Sequence, residues 1–111
     1  FMDRAFYAGG KYMTGKPAAG VVSCRRGGAA STFDQINKYF TINCMPIVSS
    51  QYWNQVHGAV PGEAEEDAEG LQTMRNLARN MAWMLKCFEE GQAAGVALPQ
   101  TERDYKTNFI R

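Results

Sequence analysis

Residues 18–39, AAGVVSCRRGGAASTFDQINKY, contain the pattern that decides the fold class. The short apolar stretch Ala18–Ser23 has the composition of a β-strand and stops at the glycine-containing loop Cys24–Gly28. A helical pattern follows, and Thr32 with Gln35 fits a capping box at its start. Open α/β sheets hold ligands where a strand passes through such a loop into a helix. The stretch therefore predicts an α/β fold with a ligand at the carboxyl end of this strand.

The composition limits the classes of protein that are possible. The 111 residues suffice for one domain, and 45% of them are hydrophobic. A net charge of +1 gives no electrostatic reason to expect binding to nucleic acid or to an anionic membrane, and no apolar run is long enough for a membrane span. Cys24, Cys44 and Cys87 lack the spacing of a zinc site or a disulfide framework, so we expect no metal. Free thiols favour a reducing compartment, and we expect the protein to be cytoplasmic.

Further elements lie on both sides of the opening stretch. Apolar spacing predicts that Phe1–Ala8 is the end of a helix that stops at Gly9-Gly10. Pro46–Ser49 has the pattern of a second short strand, with the proline at its start, where a strand tolerates it. A loop follows, and the longest helix is predicted for Glu63–Glu90. Its apolar stripe consists of Leu71, Met74, Leu77, Ala78, Met81, Leu85 and Phe88.

The order of these elements predicts a parallel sheet that this chain does not complete. Strands that are separated by helices pair in parallel through right-handed crossovers. Two strands alone are a poor sheet, because three or more are usually needed for independent stability. We therefore expect the chain to be the C-terminal part of a single larger domain, with an α/β portion at 1–96 and a tail at 97–111. The other strands would come from an N-terminal segment or from another chain.

Four short segments together resemble one protein family. Residues 1–4 (FMDR), 15–19 (GKPAA), 23–28 (SCRRGG) and 45–48 (MPIV) are similar to segments of the NADPH-dependent FMN reductases. They resemble in particular the multimeric flavodoxin-like quinone reductases and the iron–sulfur flavoproteins. The resemblance extends to about residue 90 and covers only the C-terminal half of that family. The family's phosphate-binding loop after the first strand and the cysteine cluster of iron–sulfur flavoproteins have no counterpart here.

The resemblance implies a flavodoxin-like, three-layer α/β/α fold with strand order 2-1-3-4-5. Ala18–Ser23 and Pro46–Ser49 would then be the fourth and fifth strands. It also implies FMN as cofactor, NAD(P)H as co-substrate and a quinone, free flavin or other small-molecule electron acceptor. We further expect a homodimer or homotetramer, since neighbouring subunits of this family often complete the flavin site.

The same resemblance places a site at the carboxyl ends of the strands. The residues expected to bind the cofactor are Ser23, Cys24, Arg25, Arg26, Gly27, Gly28 and Asn43. Tyr52 and Trp53 are expected on the substrate side, where they would stack on a flat molecule. His57, the only histidine, is the candidate proton donor, because its usual pKa is near neutrality. These residues also have a purely structural interpretation. Arg25 and Arg26 would be solvated loop residues, and Cys24 would pack at the strand end. Tyr52 and Trp53 would form a hydrophobic lid, and His57 would bond to the backbone.

Two functional hypotheses therefore stand at the level of sequence. The first is an FMN-dependent NAD(P)H oxidoreductase of the quinone or flavin reductase type. The alternative is a non-catalytic fragment or assembly module of a flavodoxin-like protein, which associates through its exposed sheet edge and long helix. A small α/β domain that binds an unrelated ligand is a third possibility.

Overall fold

The structure is a computed structural model that describes residues 1–110. It contains four α-helices, one short 3-10 helix and a two-stranded sheet in this part of the chain. In chain order they are α1 (Met2–Gly9), the 3-10 helix Gly10–Tyr12, β1 (Val22–Cys24), α2 (Ala29–Ile42), β2 (Gln55–His57), α3 (Glu63–Glu66) and α4 (Ala68–Ala93). This is a small α/β arrangement, as predicted, and it is compatible with part of a flavodoxin-like fold. The three-layer arrangement stays a prediction.

The two strands pair in parallel, as the order of elements predicted. Cys24 at the end of β1 is opposite His57 at the end of β2, and an isolated parallel bridge joins Ala18 to Ile47 further back. The prediction that Pro46–Ser49 forms the whole second strand is wrong. The chain first pairs with β1 at the Ile47 bridge and then leaves the sheet as a loop. It returns as Gln55–His57, and the ladder resumes where Val22 N–H donates to the Asn54 carbonyl at 2.9 Å.

One edge of β1 has no partner strand within residues 1–110. The backbone groups of Val22 and Cys24 bond towards β2, so Val21 and Ser23 direct theirs to the opposite edge. The Val21 side chain is 51% exposed. Unpaired strand edges of this kind are ready to add another strand. The continuation of the sheet outside this stretch of chain stays a prediction.

The start of α2 differs from the capping-box prediction. The helix begins at Ala29, and its N-cap is Gly28 in the left-handed region, with φ at +89°. Thr32 therefore lies inside the first turn, where its backbone N–H donates to the Gly28 carbonyl at 3.0 Å. Glycine adopts a positive φ without the steric cost that a Cβ brings, so Gly28 allows the loop to turn sharply into the helix.

The predicted helix Glu63–Glu90 is interrupted. Asp67, with φ −73° and ψ +83°, separates the single turn α3 from the long helix α4. One Asp67 carboxylate oxygen accepts a hydrogen bond from Gly70 N–H at 2.9 Å, so Asp67 is the N-cap of α4. Gly70 is buried against β2, and a Cβ at Gly70 would lie 3.1 Å from the Val56 Cα.

The core is small. Its buried apolar side chains are Val22, Ala29, Phe40, Val48 and Leu77. In the predicted stripe of α4, Leu77 is buried, whereas Leu85 and Phe88 are exposed. None of the helices in the described residues combines the length and apolar character that crossing a membrane requires.

The tail folds back along the start of the chain, although all its described residues are exposed. Leu98 packs where a Cβ on Gly15 would be, with its Cδ1 only 2.5 Å from that position. Residues 97–110 form no regular secondary structure, and Tyr105, Phe109 and Ile110 are almost fully exposed.

Candidate functional site

The carboxyl ends of β1 and β2 lie side by side. Cys24 and His57 are register partners, and Gly58 N–H donates to the Cys24 carbonyl at 3.2 Å, which extends the ladder by one bond. Because the two strands are parallel, the loops that follow them leave the same edge of the sheet. The structure therefore places Ser23–Gly28 and His57 together, as expected for a site at the strand ends.

The loop Arg25–Gly28 is exposed and offers unused hydrogen-bond donors. None of its four backbone N–H groups donates to another group within residues 1–110. A Cβ on Gly27 or Gly28 would meet no atom within 4 Å. The first N–H groups of α2 lie directly after the loop, and no side chain caps them. The loop thus presents donors to open space.

Arg25 and Arg26 add positive charge to the same loop. Both side chains are exposed, and neither forms an ion pair within the described part of the chain. Guanidinium groups donate paired hydrogen bonds to phosphates and other planar anions. The two arginines are therefore available for an anionic ligand.

His57 is held at its backbone and faces a carboxylate. Its N–H donates to Asp67 Oδ2 at 2.7 Å, and its ring Nδ1 lies 3.6 Å from the same oxygen. The hydrogen bonds from the Gly70 and His57 backbone N–H groups lower the pKa of Asp67. Asp67 is consequently ionised at neutral pH and faces a ring that is 43% exposed.

Two aromatic residues, Tyr52 and Trp53, lie in the loop that precedes β2. The Tyr52 and Trp53 rings are 4.8 Å apart and inclined by 50°, and each side chain is about half exposed. Ser50 anchors the loop to α4 by donating to the Thr73 carbonyl at 2.8 Å. Tyr52 lines a small cleft together with His57, Asp67 and neighbouring residues of α4. The structure therefore brings Tyr52 to the histidine.

Asn43 is not part of this region. It is the C-cap residue of α2, and its Nδ2 donates to the Tyr39 carbonyl at 2.8 Å. Since α2 runs back from the carboxyl ends of the strands, its last residue is at their amino ends. Asn43 is also buried against Gly10. We therefore replace the predicted cofactor contact of Asn43 with a structural role at the other end of the sheet.

Sequence reasoning missed two residues that shape the site. Asp67 was part of an acidic cluster that resembles a solvated helix start, although an Asp before a helical run is also an N-cap signal. Asn54 is 1% exposed, and its Nδ2 donates to the Gly20 carbonyl at 3.0 Å, which fixes the start of β2 against β1. No pattern in the sequence distinguishes Asn54 from an ordinary loop asparagine.

Comparison with known proteins gives one informative match. The chain is 32% identical over 78 residues to an iron–sulfur flavoprotein of Methanocaldococcus jannaschii. The match covers 66% of this chain and 40% of the length of that relative. No protein-family model and no solved structure matches the chain. The similarity supports a relationship with flavodoxin-like flavoproteins, in agreement with the resemblance of the four sequence segments.

Proposed function

We propose that this chain is the C-terminal part of an FMN-dependent NAD(P)H oxidoreductase of the quinone or flavin reductase type. One observation carries the proposal: an open glycine loop with free donors follows one of two parallel strands that end together. The partial similarity to a flavoprotein supports it. Because that match covers 40% of the relative, the activity and the partners of the whole protein belong to the proposal.

The residues at the strand ends fit the edge of a flavin ring. Its carbonyl oxygens and ring nitrogens need donors, and the N–H groups of Arg25–Gly28 are free within the described residues. Gly27 and Gly28 leave space for a flat ring to approach the backbone closely. Arg25 and Arg26 would stabilise the negative charge of a reduced flavin or pair with a phosphate.

FMN, when bound, would accept the hydride of NAD(P)H and supply the electrons for a small-molecule acceptor. The contribution of this chain is to bind, orient and exchange protons. Ser23–Gly28 would bind the cofactor, with Cys24 packed beside the ring. Tyr52 and Trp53 would stack on the flat acceptor, and His57 would deliver a proton to its oxygen.

The proposal is tested by adding FMN to the purified protein. A bound flavin absorbs at about 450 nm and changes its fluorescence, and NADH or NADPH should bleach that absorption before a quinone restores it. After free FMN has been removed by gel filtration, a folded protein that retains no absorption at about 450 nm would overturn the proposal. Riboflavin is the matched control ligand, because it has the same ring without the phosphate.

A second candidate, the non-catalytic assembly module, is favoured by the edge of β1 that has no partner strand within residues 1–110 and by the exposed Val21. In this case the protein would form a dimer or tetramer through the edge without binding FMN. Sedimentation equilibrium with and without FMN separates the two candidates, since the oxidoreductase proposal requires flavin in the assembly. Free cysteines at Cys24, Cys44 and Cys87 are consistent with the cytoplasmic location that we propose.

A further inference from the structure

We propose that Asp67 is a positioning residue that holds the Nδ1 side of the His57 ring, so that Nε2 is the nitrogen presented to the electron acceptor. The inference rests on the proposed function and adds the group that orients the proton donor. It assigns a role to a residue that lies ten positions from the histidine, at the junction of α3 and α4.

The two carboxylate oxygens of Asp67 have different partners. Oδ1 accepts from Gly70 N–H at 2.9 Å and so fixes the start of α4. Oδ2 accepts from His57 N–H at 2.7 Å and lies 3.6 Å from His57 Nδ1. The carboxylate therefore joins the last residue of β2 to the first turn of α4, and its position is set by both elements.

This geometry favours one form of the ring. The negative charge of a carboxylate 3.6 Å from Nδ1 stabilises a proton on that nitrogen. Asp67 is 19% exposed and His57 is 43% exposed, so the carboxylate side of the pair is shielded from water while the ring is accessible. Neutral His57 then presents an Nε2 lone pair, and protonated His57 presents an Nε2–H.

The chemical step that follows is a proton transfer. When the acceptor takes up a hydride equivalent from the reduced cofactor, negative charge develops on its oxygen. The Nε2–H bond of protonated His57 breaks, the new O–H bond forms, and the other proton stays on Nδ1, where it faces the Asp67 carboxylate. Water then returns a proton to Nε2 before the next turnover.

Other ionisable groups lie near His57, and their effect on the ring must be distinguished from that of Asp67. Cys24 is the register partner of His57 on β1, and Tyr52 lines the same cleft from the preceding loop. Glu69 on α4 also lines the cleft. Glu63 on α3 accepts from the backbone N–H of Ala59 at 2.6 Å. Glu69 is the suitable control, because it is a second carboxylate in the cleft without a hydrogen bond to His57 among the described residues.

The test uses the fact that His57 is the only histidine. The ¹⁵N chemical shifts of its two ring nitrogens, measured above the pH at which the ring loses its charge, report which nitrogen carries the proton. We expect the Nδ1–H form to predominate in the wild type. In Asp67→Ser the Nε2–H form, which free imidazole side chains prefer, should predominate. Serine is an equally good N-cap, so α4 keeps its start.

Two further variants keep the test decisive. Asp67→Asn preserves the size of the side chain and should also shift the ring towards Nε2–H, and it replaces Asp67→Ser should that variant fail to fold. Glu69→Gln should leave the wild-type ratio unchanged. An Nε2–H majority in the wild type, or an unchanged ratio in both Asp67 variants, would overturn the inference.

Activity gives an independent readout. With a quinone acceptor, Asp67→Ser should lower kcat about tenfold, with little change in KM; this is less than the roughly 10²–10⁴-fold of a full acid–base contribution, because His57 itself remains. The pH profile of kcat should also shift. A shifted tautomer with unchanged kcat and pH profile would refute the catalytic part of the inference. Absence of flavin binding would refute the proposed function instead, while the ¹⁵N result would still decide whether Asp67 orients the ring.

Discussion

The two ends of the sheet differ in how they use glycine and backbone hydrogen bonds. At the carboxyl end, Gly27 and Gly28 face open space and the neighbouring N–H groups have no acceptor within the described residues. At the amino end, a Cβ on Gly10 would overlap the Asn43 side chain, and one on Gly15 would overlap Leu98. There, Gly15 N–H donates to the Cys44 carbonyl at 3.1 Å.

The difference separates an open end, where we propose that the cofactor binds, from a structural end. Exposed N–H donors beside glycines allow a ligand to reach the backbone. Where a neighbouring side chain occupies the space that a Cβ would take, the glycine instead allows two elements to pack closely. An apolar groove of about 600 Å³ also lies at the amino end, between the end of α4 and Leu98. Its lining is mostly apolar, so it lacks the donors that distinguish the carboxyl end.

Removal of the two loop arginines should have the largest effect on FMN binding at the carboxyl end. In Arg25→Ala/Arg26→Ala we expect the Kd for FMN to rise at least about tenfold. Hydrogen bonds to charged groups contribute about 1.5–3 kcal/mol, and each 1.4 kcal/mol corresponds to a factor of ten. Fluorescence titration with FMN measures the change. The melting temperature should stay the same, because both side chains are exposed.

The matched control for the arginines removes the same charge elsewhere. Lys16 and Lys38 are both exposed and lie outside the loop, so Lys16→Ala/Lys38→Ala should leave the Kd for FMN unchanged. Equal affinity in the arginine variant and the wild type would rule out a role of both arginines in binding the cofactor.

A glycine pair tests the comparison directly. Gly10→Ala should lower the free energy of unfolding by about 1–3 kcal/mol, because the new methyl group overlaps the buried Asn43 amide. Gly27→Ala should stay within about 0.5 kcal/mol of the wild type, since its Cβ meets nothing. Urea unfolding measures both.

FMN binding should depend on the other member of this glycine pair, so that Gly27→Ala has the larger effect. At a temperature where both variants are folded, Gly27→Ala should weaken FMN binding, because the methyl group occupies space that the ring needs. Gly10→Ala should bind FMN as the wild type does. A stable Gly10→Ala variant would show that Asn43 moves aside without cost, and the structural role of this end would be lost.

The sequence predicted the parts of the fold that depend on local pattern. The order of strand, loop and helix within residues 18–39 and the parallel pairing are confirmed, although β1 spans only Val22–Cys24 instead of Ala18–Ser23 and α2 begins at Ala29. The second strand was placed too early because Gln55–His57 is short and contains two polar residues, so that it resembles a loop. The break at Asp67 was missed because the acidic residues before Leu71 resemble the solvated start of one helix, and only the backbone geometry reveals two helices.

The topology of the sheet also determines which candidate site residues come together. Residues 23–28 and His57 come together because parallel strands end at one edge, which the order of elements already indicated. Asn43 is adjacent in sequence to the second strand, but α2 carries it to the opposite edge. Asp67 depends on a contact between α4 and β2 that no local pattern encodes. Predictions from sequence thus succeeded where topology determines position and failed where tertiary contacts do.

The smallest effect should come from Tyr39, which joins the far part of α2 to α1. Its hydroxyl donates to Asp3 Oδ1 at 2.6 Å, and this hydrogen bond to the carboxylate raises the pKa of Tyr39. Tyr39→Phe should therefore lower the melting temperature slightly at pH 7. A raised pKa in the folded state means that the contribution is fully present below the ordinary tyrosine pKa of about 10 and is lost as the pH rises through the folded value. The difference in melting temperature between wild type and variant should shrink above that pH.

Tyr7→Phe, at a side chain that is 95% exposed on α1, should show no difference at any pH. An unchanged melting temperature for Tyr39→Phe at pH 7 would mean that ring packing against Phe6, with the ring centroids 5.3 Å apart, stabilises the helix pair instead of the hydroxyl.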